Sequence, residues 1–126
     1  MNKKEKMEVL VAFLTGNNIE HWENVKVESL GVEIPLYIPR FNISVKTEGC
    51  NDDWYQTVKR YTRPVFIRDD ESADFIIEKV RNTMRHPKGF IPSKKRKWLR
   101  ENMIPAHKYC IRRKMRNRKR IAIRKS

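Results

Sequence analysis

The chain is 126 residues long, which is enough for one compact domain with its own hydrophobic core. It contains 29 Lys and Arg and 15 Asp and Glu, a formal net charge of +14. No stretch of about 18 apolar residues is present, and the charged N-terminal sequence MNKKEKMEVLVAFL lacks the small-residue cleavage site of a secretory signal. The sequence therefore predicts a cytoplasmic protein with no membrane partner.

The positive charge is concentrated in the last part of the chain. Residues 1–87 hold 13 basic and 14 acidic residues, whereas residues 88–126 hold 16 basic residues and a single acid, Glu101. So dense a charge repels itself unless a polyanion neutralises it, which indicates nucleic acid as the partner. A membrane surface would require an apolar face opposite the cations, and the apolar residues here are too scattered. We therefore predict a domain at 1–87 and a basic C-terminal extension at 88–126.

Hydrophobic periodicity divides the first part into seven elements. In chain order they are a helix at 3–16, strands at 24–31, 32–38 and 42–48, a helix at 51–64, a strand at 65–68 and a helix at 73–84. This order predicts a small mixed β-sheet flanked by helices, of the α/β (α+β) class, with the last strand reached across a helix. The aromatic residues expected in the core are Trp22, Trp54, Tyr55, Phe66 and Phe75.

The extension begins with the linker HPKGFIPS and continues with two basic stretches. The sequence KKRKWLRENM predicts a short helix capped by Ser93, and AHKYCIRRKMRNRKRIAI has few helix breakers and predicts a second one. Aromatic rings among the cations either stack on unpaired bases or pack back on their own domain. The residues predicted to bind nucleic acid are Lys94, Lys95, Arg96, Lys97, Trp98, Arg100, Lys108, Tyr109, Arg112, Arg113, Lys114, Arg116, Arg118, Lys119 and Arg120.

Two motifs carry a resemblance to a known family. The sequence LYIPRFNISVKTEG matches the hairpin pattern PDFYxPxxNxxIExKG through residues that include Tyr37, Pro39, Asn42 and Gly49, and RPVFIRDDESADFIIEKV is similar to the strand and helix that follow. The chain thus resembles the PD-(D/E)xK restriction-endonuclease-like superfamily, in particular its very-short-patch-repair-like branch. The resemblance covers about two thirds of the chain and implies a restriction-endonuclease-like fold. It also makes a phage or mobile element an expected source.

The catalytic letters of that family are changed in this chain. Family nucleases hold Mg²⁺ between two carboxylates and place a Lys two residues after the second one. The alignment puts Pro35 at the Asp position, Lys46 at the Glu position and Glu48 at the Lys position, so that ExK becomes KxE. The family's catalytic motif is therefore degenerate here.

A displaced site remains possible on the same hairpin. Because strand side chains alternate, Lys46 and Glu48 share a face, and Glu33 is expected on the side of the missing Asp. If the chain is active, the catalytic residues are Glu33, Lys46 and Glu48, with Glu33 and Glu48 as ligands of Mg²⁺. The alternative is that Lys46 and Glu48 are only a charge pattern on a sheet that binds no metal, in which case no cofactor is expected.

Three functions are consistent with these features. The one we favour is a non-catalytic nucleic-acid-binding protein, for DNA or RNA, in which a basic C-terminal tail binds the phosphate backbone of nucleic acid. The second is a metal-dependent endodeoxyribonuclease with a rearranged site. The third is an RNA-binding subunit of a larger nucleoprotein assembly, such as a ribonucleoprotein or polymerase. Metal-dependent cleavage separates the second function from the other two.

Overall fold

The computed structural model describes residues 2–47, 52–86 and 91–110, which form one layer of sheet between two layers of helices. A short 3₁₀ helix, Glu28–Leu30, lies between the first two strands. The elements are α1 (Lys3–Gly16), β1 (His21–Val27), β2 (Val32–Ile38), β3 (Ile43–Thr47), α2 (Asp52–Val58), β4 (Arg63–Ile67), α3 (Ala73–Arg85), α4 (Ser93–Glu101) and β5 (Ile104–Tyr109).

The five strands form a mixed sheet in the order β4-β3-β2-β1-β5. Strands β1, β2 and β3 are an antiparallel meander, and β3 pairs in parallel with β4 across α2. The predicted order of the first seven elements, the hairpin and the mixed sheet are all confirmed. The fold is thus a mixed α+β domain whose five-stranded sheet is flanked by helices.

Local side chains fix the ends of the early elements. The Asn2 side chain accepts a hydrogen bond of 2.8 Å from the backbone N–H of Glu5 and so caps α1. Gly31, with φ at 66°, ends the 3₁₀ helix in the left-handed region that glycine enters without steric cost. The chain can therefore reverse within one residue and pair β2 with β1.

The connection between β2 and β3 is a tight turn at residues 39–42, built around Asn42. Asn42 has a positive φ of 53°, which asparagine tolerates better than most residues. Its side chain is buried and accepts a 2.6 Å hydrogen bond from the Tyr37 hydroxyl, while its amide donates 2.7 Å to the Tyr61 carbonyl. The turn is therefore joined both to its own hairpin and to the residues that lead into β4.

Two hydrophobic clusters cover the two faces of the sheet. Helices α1 and α3 cover one face and α2 and α4 the other. The first cluster is aliphatic and consists of Leu10, Leu14, Leu36, Ile38, Ile43, Val45, Val65, Ile67, Ile76 and Val80. The second cluster contains the large aromatic residues and consists of Trp22, Val25, Val27, Ile34, Tyr37, Trp54, Val58, Leu99 and Met103.

The start of the predicted extension is part of this domain. The helix predicted from KKRKWLRENM is present as α4, and its Leu99 is buried in the second cluster. The predicted cap is wrong, because Ser93 is the first residue of the helix and Pro92 is its N-cap, without a side-chain hydrogen bond. The second predicted helix is wrong at its start, because residues 104–109 form β5, which pairs antiparallel with β1. The backbone groups of β1 gain hydrogen-bond partners there, which outweighs the weak helical preference of a segment that contains Pro105. Among the described residues, those before and those after residue 87 therefore share one hydrophobic core, and the predicted boundary does not divide two packing units.

Two aromatic residues expected in the core lie at the surface. Trp22 and Trp54 are buried and Phe66 is half-buried, but Phe75 is 55% exposed and Tyr55 is 38% exposed. The prediction is wrong for Phe75 because α3 turns Ile76 and Val80, and not Phe75, toward the sheet.

None of the helices in the described part of the chain is long and apolar enough to cross a membrane.

Candidate nucleic-acid interface

Helix α4 is held against the domain by its apolar and aromatic side chains. Leu99 is 1% exposed, and the Trp98 ring stacks on Tyr61 with ring centroids 5.2 Å apart. At the end of the helix, the amide of Asn102 donates a 2.7 Å hydrogen bond to the Trp98 carbonyl. The cations of α4 therefore project from a fixed position.

Arginines at the base of α4 reach the buried end of the hairpin. Arg100 donates a 2.9 Å hydrogen bond to the Pro39 carbonyl in the turn at residues 39–42. Burial raises the pKa of the Tyr37 phenol, and the neighbouring Arg100 and Arg96 guanidinium groups partly oppose that rise. The helix and the hairpin are thus joined by charged groups as well as by the core.

The exposed side chains of α4 carry a net positive charge. Lys94, Lys95, Lys97 and Arg100 are exposed, and none forms an ion pair with an acidic side chain of the described residues. Glu101 is the only acid of the helix. Glu101 lies one helical turn after Lys97, so a single acid offsets only part of the charge of the four exposed cations. Exposed Lys and Arg side chains are the groups that neutralise phosphates in complexes with nucleic acid.

The aromatic residues predicted beside the cations have intramolecular partners. Trp98 stacks on Tyr61, and Tyr109 stacks on His21 at 5.0 Å and donates a 3.1 Å hydrogen bond to Asn18. The Lys108 ammonium lies 4.3 Å from the centre of the Trp22 ring, a cation–π contact. Of the two alternatives for Trp98 and Tyr109, the structure therefore has the one in which the ring packs on its own domain.

The remaining predicted contacts follow β5 in the sequence. Cys110 is exposed and is the last described residue. The chain leaves the sheet at its β5 edge and continues with nine cations and no acid in residues 111–126. The predicted binding residues outside the described part of the chain are Arg112, Arg113, Lys114, Arg116, Arg118, Lys119 and Arg120.

Two of the three hairpin residues predicted for catalysis line a cleft at a second place on the surface. Glu33, Lys46, Asp53 and Trp54 line the same cleft of about 430 Å³. The Lys46 ammonium lies 4.9 Å from the centre of the Trp54 ring, and the Trp54 indole donates a 2.8 Å hydrogen bond to the Glu33 carbonyl. Glu48, the third predicted residue, lies outside the described residues.

Asp53 was not predicted from the sequence as a site residue. It lies in the first turn of α2, and only the fold brings it into the same cleft as Glu33 and Lys46. Within the described residues, no group of three or more His, Cys, Asp or Glu side chains is arranged to hold a metal ion. Glu33 and Asp53 are thus two acidic residues in the lining of a cleft that also contains Lys46.

Arg63 is a further positioning residue that the sequence did not indicate. Its guanidinium donates hydrogen bonds to the backbone carbonyls of Phe41, Thr83 and His86. Burial and the nearby Arg96 charge lower the pKa of this group. Arg63 therefore joins the turn at residues 39–42 to the end of α3.

No protein family, curated protein or solved structure matches the chain.

Proposed function

We propose that the chain is a nucleic-acid-binding protein that uses α4 and the basic residues after β5 to contact the phosphate backbone of DNA or RNA. The observation that carries this proposal is the set of exposed cations on α4, where Lys94, Lys95 and Lys97 project from a docked helix and Arg100 is exposed while it also donates to the Pro39 carbonyl. Glu101 is the only acid of this helix, so its net charge stays positive and a polyanion gains favourable interactions there.

We also propose that the domain is restriction-endonuclease-like and has lost its catalysis. Support for the fold comes from the order of the first seven elements and from the parallel step between β3 and β4 across α2. Support for the loss comes from Lys46, which occupies the strand position where the resemblance places a metal-binding carboxylate. Mg²⁺ requires oxygen ligands at about 2.1 Å in near-octahedral order, and an ammonium group repels it.

The binding proposal is tested by removing two charges from α4 in the full chain. Lys94→Gln combined with Lys97→Gln removes two exposed cations, and Lys4→Gln combined with Lys26→Gln removes two exposed cations elsewhere. Fluorescence anisotropy between about 50 and 200 mM salt gives the dissociation constant for duplex DNA and for a structured RNA. If about eight cations contact phosphates, log affinity falls against log salt with a slope near −7 on duplex DNA.

The expected result is that the Lys94/Lys97 double variant reduces that slope by about 2. The Lys4/Lys26 control should leave it unchanged, because those side chains lie on α1 and β1. Absence of binding by the full chain at the lowest salt, or an equal loss in both double variants, would contradict the proposal.

A second candidate function is a metal-dependent endodeoxyribonuclease, and the cleft shared by Glu33, Lys46 and Asp53 favours it. Its test is the incubation of supercoiled plasmid with the full chain in the presence and absence of Mg²⁺ or Mn²⁺. Nicking that requires the metal and is lost in both Glu33→Gln and Glu48→Gln would establish this function. Retarded but intact plasmid under every condition would exclude it and leave the binding function.

A further inference from the structure

A second cleft, which is lined by cationic residues, lies apart from the predicted catalytic residues. It is formed by the turn at residues 39–42, the end of α3 and the start of α4. Its volume is about 350 Å³, near the lower end of the roughly 300–1,000 Å³ that is typical of small-molecule sites. The described residues that line it are Arg40, Phe41, Asn42, Arg63, Met84, Arg85, His86, Ile91 and Arg96.

The polar part of this lining indicates an anion. Four arginines and one histidine line the cleft, and none of its described lining residues is acidic. The charge of Arg96 contributes to the lowered pKa of Arg63, as expected when like charges lie close together. The donors of Arg63 are taken by backbone carbonyls, so it contributes charge to the cleft. Guanidinium groups such as those of Arg40 and Arg85 present paired N–H donors that match phosphate oxygens, so a bound phosphate would relieve the repulsion and gain hydrogen bonds.

The apolar part of the lining indicates more than a phosphate. Phe41 and Met84 are partly buried against the first cluster, and Ile91, which precedes α4, also lines the cleft. The Arg40 guanidinium lies 5.3 Å from the centre of the Phe41 ring. An inorganic anion makes no use of such a surface, whereas a nucleobase gains stacking and hydrophobic contact from it.

We propose that this cleft binds one unpaired nucleotide of the nucleic acid, with its phosphate on Arg40, Arg85 and Arg96 and its base against Phe41. The proposal rests on the proposed function and names the substrate class at a particular subsite. A base that is paired within a duplex cannot enter a cleft of this size without leaving its stack. Single-stranded ends, loops and bulges are therefore the preferred targets.

The cleft offers few groups that distinguish one base from another. Asn42 is the lining residue best suited to read a base edge, but its carbonyl oxygen already accepts from Tyr37 and its amide already donates to Tyr61. Contact through the faces of a base is tolerant of sequence, because every base has a π-face. We therefore expect a preference for unpaired nucleotides with little preference among the four bases.

The test compares two charge-matched double variants of the full chain. Arg40→Gln combined with Arg85→Gln changes the cleft, and both side chains are exposed, so the fold is expected to be retained. Lys4→Gln combined with Lys26→Gln is the control. The small probes are adenosine 5′-monophosphate, adenosine and inorganic phosphate, and the large probes are a blunt duplex and the same duplex with a single-stranded extension.

The expected result is that adenosine 5′-monophosphate binds more tightly than either adenosine or phosphate. The cleft variant should lose about tenfold or more in affinity for it, because two charged hydrogen-bond donors are removed. The full chain should also bind the extended duplex more tightly than the blunt one. This preference should disappear in the cleft variant and persist in the control.

Several outcomes would overturn the proposal. One is equal affinity for the blunt and extended duplexes together with no binding of the mononucleotide, and another is an equal loss in both double variants. If either outcome occurs while both duplexes still bind with a steep salt dependence, only the subsite is refuted and the proposed function stands. Conversely, mononucleotide binding that is lost in the cleft variant, without binding of either duplex, would support the cleft and refute the proposed function.

Discussion

The two faces of the sheet are built from different chemistry. The face under α1 and α3 is aliphatic, and the buried ammonium of Lys6 there donates to the backbone carbonyls of Arg68 and Asp69. The face under α2 and α4 contains the large aromatic residues, and cations lie along its rim. The first face thus uses its charges to close a loop of its own, whereas the second face presents its charges to solvent. The comparison assigns stability to both faces and the proposed phosphate contacts of α4 to the second, while the cationic cleft borders residues of both faces, at the end of α3 and the start of α4.

The largest expected effect comes from removing the elements that complete the second face. A chain that ends at residue 87 lacks α4 and β5, so Leu99 and Met103 leave the core and β1 loses a paired strand. We expect this chain to lose cooperative unfolding, because buried aromatic residues become exposed. A chain that ends at residue 110 should retain the full chain's thermal transition, followed by circular dichroism. A cooperative transition in the shorter chain would show that 1–87 is an independent domain.

Substitution of one buried leucine under each face tests the same comparison. Leu14 and Leu99 are both buried, one under each face, and truncation of either to Ala should cost about 2–5 kcal/mol in the free energy of unfolding. Urea denaturation measures this cost. At a temperature where both variants are folded, Leu99→Ala should also weaken nucleic-acid binding, because α4 is less firmly docked. Leu14→Ala serves as its control, and an equal loss of affinity in both variants would contradict the comparison.

Removal of one hydroxyl group tests the polar contacts of the second face. Tyr37→Phe leaves the buried Asn42 oxygen without its 2.6 Å donor, which should cost about 1–3 kcal/mol in the free energy of unfolding. Tyr61→Phe is the matched control, since the Tyr61 hydroxyl makes no hydrogen bond to a described residue. Urea denaturation of both variants measures the difference. Equal costs in the two variants would show that the hydrogen bond to Asn42 contributes nothing specific.

The first seven helices and strands could be predicted from the sequence because the patterns that identify them lie within short segments. Helical spacing, the alternation of the hairpin and the turn around Asn42 are all contained within short windows. The strand β5 was missed because IPAHKY has little apolar alternation, and its pairing depends on β1, which lies far away in the sequence. A pattern within one segment cannot report such a partner.

The same difference between local and long-range information explains which candidate sites could be predicted from the sequence. The basic helix α4 was predicted because its cations are adjacent in sequence, and Glu33 and Lys46 were predicted from one hairpin motif. The second cleft was missed because three of its four arginines are isolated in the sequence, although Arg96 belongs to the predicted basic helix. Arg40, Arg63 and Arg85 come from a turn, a strand and the end of a helix, and only the packed fold brings them together.

The smallest expected effect is electrostatic and belongs to the first face. Burial alone would raise the pKa of Glu71, but the hydrogen bond from Lys79, the backbone N–H of Arg68 and the charges of both residues lower it below its ordinary value. A carboxyl group with a lowered pKa in the folded state contributes stability above its unfolded pKa of about 4.3. That contribution is lost as the pH falls through the lower, folded value.

Glu71→Gln should therefore reduce the free energy of unfolding at pH 7 and make it less sensitive to acid below about pH 4. Urea denaturation at neutral and acid pH measures both effects. Glu78→Gln is the control, because the Glu78–Arg81 pair is 3.5 Å apart and well exposed, so its removal should change little. Nucleic-acid affinity at pH 7 should stay the same in Glu71→Gln, since this ion pair closes the loop between β4 and α3. A loss of affinity equal to that of the Lys94/Lys97 double variant would mean that the loop between β4 and α3 also contacts the ligand, and the assignment of this ion pair to stability alone would fail.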